Sequence, residues 1–375
     1  MLDAPLLAGE AALNAQPLRV LLLADSRSFH TERYAAELAK QGCEVLTASL
    51  EDGAMPHHLL KRRGPFRALH YALAAVEVRK LMKSFRPDII NPHFASGYGF
   101  LAALAERRRS LPVLLHLWGS DILIAPHKSV FHWRKTRLAL DSADLVIGDS
   151  DYLLDKAAEI GDMRDRRTIV WGIEREFLRH QRGDVPFRAP LKILVPRVHE
   201  AVYNNLFILR TLADLANSGK IELTFPDFGG QVHAFKMEAG RLIASGIKFY
   251  PKRSRDEYLR FAAQHDIYLS ASLSDSSPAS MLEAMGLGLI PVVGNIPGVR
   301  EWLTPDSGFL FDLTREADLR DVDLRDVILR FLAPGADATG MRANNRRLIE
   351  HKALFEDNIE ETVTIMRELV AERSA

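Results

Sequence analysis

Residues 270–293 read SASLSDSSPASMLEAMGLGLIPVV, and their order decides the fold. The aliphatic runs Ile267–Ser270 and Ile290–Val293 have the length of covered strands. Between them come hydroxyl residues around Asp275, then a short helix that starts near Ala279–Ser280 and carries Glu283. Strand, loop, helix, strand is the crossover unit of a parallel sheet. The start of that helix offers unpaired amides and a positive dipole end, a natural seat for phosphate. Glu283, just inside it, is placed to accept two hydrogen bonds from a ribose diol, about 1.5–3 kcal/mol each when aligned. Asp275 is placed to reach sugar hydroxyls beside the diphosphate.

The same alternation extends along the chain. Leu18–Ala24, Glu44–Ala48, Ile89–His93, Val113–Leu117 and Leu145–Ile147 read as strands, with a helix over His30–Gln41 that Gly42 ends. A second series runs Leu191–Val195, Ile221–Phe225, Ile247–Tyr250, Ile267–Ser270 and Ile290–Val293, with a helix over Tyr203–Ser218. The expectation is an α/β chain of two Rossmann-like, doubly wound domains facing each other across a cleft. Their bounds are 1–185 and 186–357, with a hinge in the Gly183–Pro190 stretch. The apolar spacing of Asn358–Arg373 predicts a last helix that packs back on the first domain. Ligands of doubly wound domains bind beyond the carboxyl ends of the strands, so the loops there carry the chemistry.

Composition narrows the function. The chain has 375 residues with 49 Lys+Arg against 49 Asp+Glu, so bulk charge does not recruit nucleic acid. A single cysteine excludes an internal disulfide and a cysteine zinc site. That cysteine usage suits a cytoplasmic location. Met1–Leu18 lacks the basic region of a signal peptide, and Leu18–Ala24 is too short to span a bilayer. From Lys61 to Arg86, eight basic residues stand against the single acid Glu77, interleaved with Leu69, Tyr71, Leu73, Val76, Val78 and Leu81. This pattern fits either a solvated helix face or a peripheral contact with the anionic inner face of a membrane.

Asp275 and Glu283-Ala284-Met285 resemble the paired-acid motif of the retaining, nucleotide-sugar-dependent glycosyltransferases of the GT-B fold, family 4. The first acid of that motif is usually Glu and here is Asp. Ile296–Leu303 (IPGVREWL) and Gly308–Phe311 (GFLF) are similar to the same family, and the likeness extends over nearly the whole chain. The resemblance implies transfer of a sugar from a nucleoside diphosphate to a hydroxyl acceptor, a glycan or a lipid-linked acceptor of cell-surface glycan synthesis. It implies a donor site formed by Arg197, Asn204, Tyr250, Lys252, Asp275, Ser277, Ala279, Ser280, Met281 and Glu283. Catalysis falls to Arg197, Asp275, His93 and Asp121, and acceptor binding to Ser28, His30 and Trp118. No metal and no cofactor beyond the donor is implied.

Three departures from the family pattern stand out. The family's second diphosphate cation is Tyr203, which leaves more of the charge to Arg197. Trp118 takes the place of a histidine before Gly119-Ser120-Asp121, while His93 ends its own strand and His116 lies one strand residue early. Ser28 sits where many members have a Gly-Gly turn, and serves either as a helix cap or as an acceptor contact. The run Asp321-Val322-Asp323 reads as surface, and His57, His58, His116, His127 and His132 show no metal spacing. Trp118, Tyr203 and the Asp at 275 keep a second reading open, a catalytically decayed GT-B module that binds a partner protein. Oligomeric state is left open by the sequence.

Overall fold

The computed structural model describes residues 16–60, 67–183, 185–313 and 323–374. Contacts divide the chain into two units: Met1–Gly148 (described from Gln16), Leu154–Thr168 and Ile359–Ala375; and Asp149–Leu153 with Ile169–Asn358.

The first unit opens with β1 (Leu18–Leu23), α1 (Phe29–Lys40), β2 (Cys43–Ser49), β3 (His58–Leu59), α2 (Arg67–Phe85) and β4 (Ile89–Pro92). It continues with α3 (Phe100–Ala105), β5 (Leu114–His116), α4 (Ser120–Leu123), α5 (Val130–Ser142) and β6 (Leu145–Gly148). Then come α6 (Asp151–Ala158), whose first turn counts with the second unit, and β7 (Arg166–Thr168). Four strands pair in the order β3-β2-β1-β4, all parallel, and β5-β6-β7 form a second parallel group. Two parallel bridges, Ile90 to Val113 and His93 to His116, carry the pairing from β4 to β5. Strand β1 is buried on both faces, as a central parallel strand must be. Gly42, at φ +81°, ends α1 in the left-handed conformation that glycine adopts without strain.

The second unit holds β8 (Leu191–Leu194), α7 (Asn205–Asn217), β9 (Ile221–Pro226), α8 (Val232–Leu242), β10 (Ile247–Tyr250), α9 (Arg255–Ala262) and β11 (Ile267–Ser270). After these come α10 (Ala279–Gly286), β12 (Ile290–Gly294), β13 (Phe309–Phe311), α11 (Leu324–Phe331) and α12 (Thr339–Lys352). The sheet runs β10-β9-β8-β11-β12-β13. Both of its faces are covered: Ile267 and Leu269 join one apolar cluster, while Tyr268 between them joins the other with Met281 and Met285. The last helix, α13 (Phe355–Ser374), buries Val363 and Met366, and Arg373 pairs with Asp144 of the first unit at 2.9 Å.

The expected boundary at 185 is corrected to Thr168–Ile169. Residues flanking the expected hinge pack within the second unit. Phe187 stacks edge-on against Phe331 with centroids 5.0 Å apart, and the Arg182 amide donates to the Leu287 carbonyl at 2.8 Å. Among the described residues, no helix is long and apolar enough to cross a membrane. Lys61–Arg63 and Asp321-Val322 lie outside the described residues.

Candidate active site

In the second sheet the strand order reverses between β8 and β11, the position where doubly wound folds bind ligands. Arg197 lies just beyond β8 and Asp275 just beyond β11. Arg197 Nη2 donates to Asp275 Oδ2 at 2.5 Å, and Nη1 donates to Ser280 Oγ at 3.2 Å. Its Cζ sits 4.2 Å from the centroid of the Tyr203 ring, while its buried Nε has no hydrogen-bond partner. The loop itself is tied by Asn205, whose amide donates to the Arg197 carbonyl at 2.9 Å. Burial works against the Arg197 charge, but its neighbours, Asp275 foremost, hold its pKa above the ordinary arginine value. Burial pushes the Asp275 carboxyl up, and the Arg197 guanidinium pulls it back.

Ser280 and Glu283 lie one turn apart on the same face of α10. The amides of Met281 and Leu282 bond the Pro278 carbonyl at 2.9 and 3.2 Å, so those of Ala279 and Ser280 lie ahead of the first intrahelical bond. Glu283 Oε1 accepts from Arg255 Nη1 at 2.9 Å. Gly298 lets the IPGVREWL turn approach the acidic loop: a Cβ there would stand 2.5 Å from the Ser276 carbonyl oxygen and 2.9 Å from that of Asp275.

The first sheet reverses between β1 and β4, and the loops there enclose a cavity of about 400 Å3. Asp25, Ser28, Thr31, Glu51, His93 and Trp118 all line it. Beneath it runs a buried polar cluster. Tyr34 OH donates to Asn91 Oδ1 at 2.9 Å, and Asn91 Nδ2 reaches both the Leu114 carbonyl at 2.7 Å and His116 Nδ1 at 3.0 Å. The His93 and His116 rings stand 4.8 Å apart. Burial lowers both histidines, His116 to about 3, so both are neutral near pH 7. Asp121 Oδ2 accepts from the Ala95 amide at 2.7 Å and Oδ1 from the Trp118 amide at 2.9 Å. Burial pushes its carboxyl up to about 6, against the pull of these amides.

Residues 19–150 match the family model for glycosyl transferase 4-like domains, and residues 209–325 match that for glycosyl transferases group 1. The chain belongs to the group 1 glycosyltransferases of the GT-B fold. It is 24% identical over 239 residues to a putative teichuronic acid biosynthesis glycosyltransferase, TuaC, of Bacillus subtilis. That match covers 60% of this chain and 58% of the relative. Among solved structures, Anabaena Alr3699/HepE in complex with UDP superposes with a TM-score of 0.75 at 16% identity, covering 94% of this chain and 99% of that one. A glycosyltransferase from Rickettsia africae gives 0.76 at 15% identity, over 95% and 99% of the two chains.

In this group 1 glycosyltransferase the structure brings Arg197, Asp275, Ser280 and Glu283 together. Ser28, His93 and Trp118 meet at the first cavity, and His30 packs edge-on against Trp118 with centroids 5.8 Å apart. The remaining expected residues have particular surroundings. Ser28 occupies the N-cap of α1 yet makes no capping hydrogen bond, so its role there is the cavity wall. Asp121 is fully buried, and its two oxygens accept from the Ala95 and Trp118 amides, which makes it a brace between two loops. Ser277 Oγ is committed to the Asp149 carbonyl at 2.6 Å and to Trp302 Nε1 at 2.8 Å. Asn204 is left-handed at φ +51° and contributes loop shape. Met281 is buried in the core, Tyr250 is nearly so, and Lys252 is exposed beside the Phe228 ring.

Sequence reasoning missed Arg255, Glu174 and the Tyr34–Asn91–His116 cluster. The run Ser254-Arg255-Asp256-Glu257 carried a usable signal: Ser254 and Glu257 form a reciprocal cap that starts α9 and fixes Arg255 at its first position. One group of described residues, Glu176, His180 and Asp256, brings three metal-capable atoms within 4.8 Å. Asp256 is already paired with Arg260 at 2.6 Å, and none of the three joins the cluster around Arg197.

Proposed function

We propose that this chain transfers a sugar, with retention of anomeric configuration, from a nucleoside diphosphate to a hydroxyl acceptor in cell-surface glycan synthesis. The observation that carries the reading is the convergence of Arg197 and Glu283 on the start of α10, through Ser280 and one helical turn. The donor diphosphate takes Arg197 and the Ala279 and Ser280 amides, and Glu283 takes the ribose. Asp275 meets the transferred sugar. The nucleophile's proton passes to the departing diphosphate, so no strongly basic side chain is needed at the reacting carbon, and no metal is invoked. His93, neutral and buried at the end of β4, supplies a dipole on the acceptor side. The Anabaena structure is a complex with UDP, which makes UDP-sugars the first donors to try.

The acceptor takes the cavity walled by Ser28, His93 and Trp118, with the indole ring against a sugar face. Lys80, Lys83 and Arg86 are exposed on and beside α2 together with Leu73 and Val76, and we read this face as a contact with anionic lipid. The decayed-module alternative is not favoured, since the donor-side charges are kept in an ordered arrangement. Titration with UDP-, GDP-, ADP- and dTDP-sugars, followed by NMR assignment of the product anomer, tests the proposal. Binding of none of them, or an inverted product, refutes it.

A further inference from the structure

We infer that Arg255 is a positioning residue for Glu283, clamping the carboxylate that the donor site offers to the ribose. The inference rests on the donor-site reading above. Arg255 Nη1 donates to Glu283 Oε1 at 2.9 Å, Nη2 pairs with Glu174, and Cζ lies 4.4 Å from the centroid of the Phe177 ring. One guanidinium plane is thus fixed by an aromatic face and two carboxylates, a geometry that the point charge of lysine does not reproduce.

The framework holding these groups is rigid at each corner. Arg255 begins α9 behind the Ser254–Glu257 cap. Phe177 is buried in the apolar cluster that includes Met281, Leu282 and Met285. The segment carrying Glu174 presses on α10 so closely that a Cβ on Gly286 would stand 2.3 Å from Ile173 Cδ1. Gly172, at φ +68°, sets the turn that leads into this segment.

Charge explains why the bridge is required. Glu283 and Glu174 share the Arg255 guanidinium, so each carboxylate lies near the other's charge, while Arg197, from the loop after β8, also acts on Glu283. Tyr250, Tyr258 and Tyr268 surround this region, and Glu283 is among the causes that raise the first two well above the ordinary tyrosine value, after burial. Without Arg255 the two acids repel in a poorly solvated place. Glu283 then turns away or takes up a proton, and in either form it is a worse ribose acceptor.

The test uses the full chain and UDP as the titrant. Arg255→Met should weaken UDP binding about tenfold. Arg255→Lys should fall between that variant and the wild type. The decisive measurement is the double variant R255M/E174Q, which removes the repelling charge and should recover most of the affinity. A merely structural role for Arg255 predicts no such recovery, because E174Q restores no packing. Folding of each variant is checked by thermal denaturation. Wild-type UDP binding that R255M retains unchanged, or a loss that E174Q fails to relieve, overturns the clamp alone. If the wild-type protein binds none of UDP, GDP, ADP or dTDP, the donor-site reading falls and the positioning role with it.

Discussion

Arg197 holds two duties that a pair of variants can separate. Its guanidinium neutralises Asp275 at 2.5 Å in a place where their side chains are only 15% and 19% exposed. Arg197→Met leaves Asp275 without its cation, and breaking such a pair costs about 3 kcal/mol, the lower end for buried pairs because Asp275 keeps some water. In a unit of this size that is a fall of roughly 6–12 °C in melting temperature. The same variant removes the main cation for the diphosphate, worth another 1.5–3 kcal/mol or so per charge-assisted bond. Adding Asp275→Asn should return most of the stability, since a neutral amide needs no counter-charge, yet should not return donor binding. Thermal denaturation reads the first quantity and titration with UDP the second. If R197M/D275N regains both, Arg197 serves the fold only, and the placement of the diphosphate is refuted.

Other predictions follow the same chemistry. His116 is lowered to about 3 by burial, and its unfolded value lies near 6.5, so the unfolded chain binds the extra proton between these values. Stability is complete above pH 6.5 and falls as pH drops toward 3, by up to about 1.4 kcal/mol per pH unit, with His93 adding to the slope. Asp121, raised to about 6, acts the other way, favouring the folded state as it protonates below pH 6. His116→Asn, which keeps an acceptor near Asn91, should flatten the acid side of a denaturation profile; an unchanged profile would count against the buried neutral pair. Trp118→Ala should lower kcat/KM for the acceptor about fivefold and leave donor affinity unchanged, and steady-state kinetics would reveal the opposite pattern if the indole serves the donor. Gly298→Ala forces a Cβ to within 2.5 Å of the Ser276 carbonyl oxygen and should destabilise by about 1–3 kcal/mol, measurable by urea titration. Lys80→Glu with Lys83→Glu should abolish flotation with anionic vesicles, and unaltered flotation would exclude that face as the contact.

Much of the fold is legible because central parallel strands are buried on both faces and read as predominantly apolar runs. The chain from Leu18 to Leu23, or from Ile267 to Ser270, states its environment residue by residue. Strands without that environment leave no such mark. Strand β7, Arg-Arg-Thr with every residue exposed, and β3, two exposed residues, sit at sheet edges where water satisfies one side. Neither has the apolar content that pattern reading requires. The boundary expected near 185 differs from the contact division for a related reason. Proline, glycine and polar residues mark irregular backbone, and which unit such a segment packs on depends on partners far away, here Phe331 for Phe187 and Leu287 for Arg182.

The candidate site divides along the same line. A helix start with a carboxylate one turn in is local information, so Ser280 and Glu283 can be read from one segment. Pairings across the chain are not local: Arg255 stands 28 residues from Glu283 and 81 from Glu174, and no spacing rule joins them. The distant pairings also change what the local residues mean. Asp121 looks like a reacting acid when read beside Trp118-Gly119-Ser120. The Ala95 amide, brought in from the loop after β4, turns it into a brace. Its two oxygens hold the segments that carry His93 and Trp118, which predicts an effect through position. Replacing it with Asn keeps one acceptor and loses the other, which should loosen the Trp118 or Ala95 loop and weaken acceptor use while leaving nucleotide binding intact. A group that exchanged protons with substrate would instead change the pH dependence of turnover.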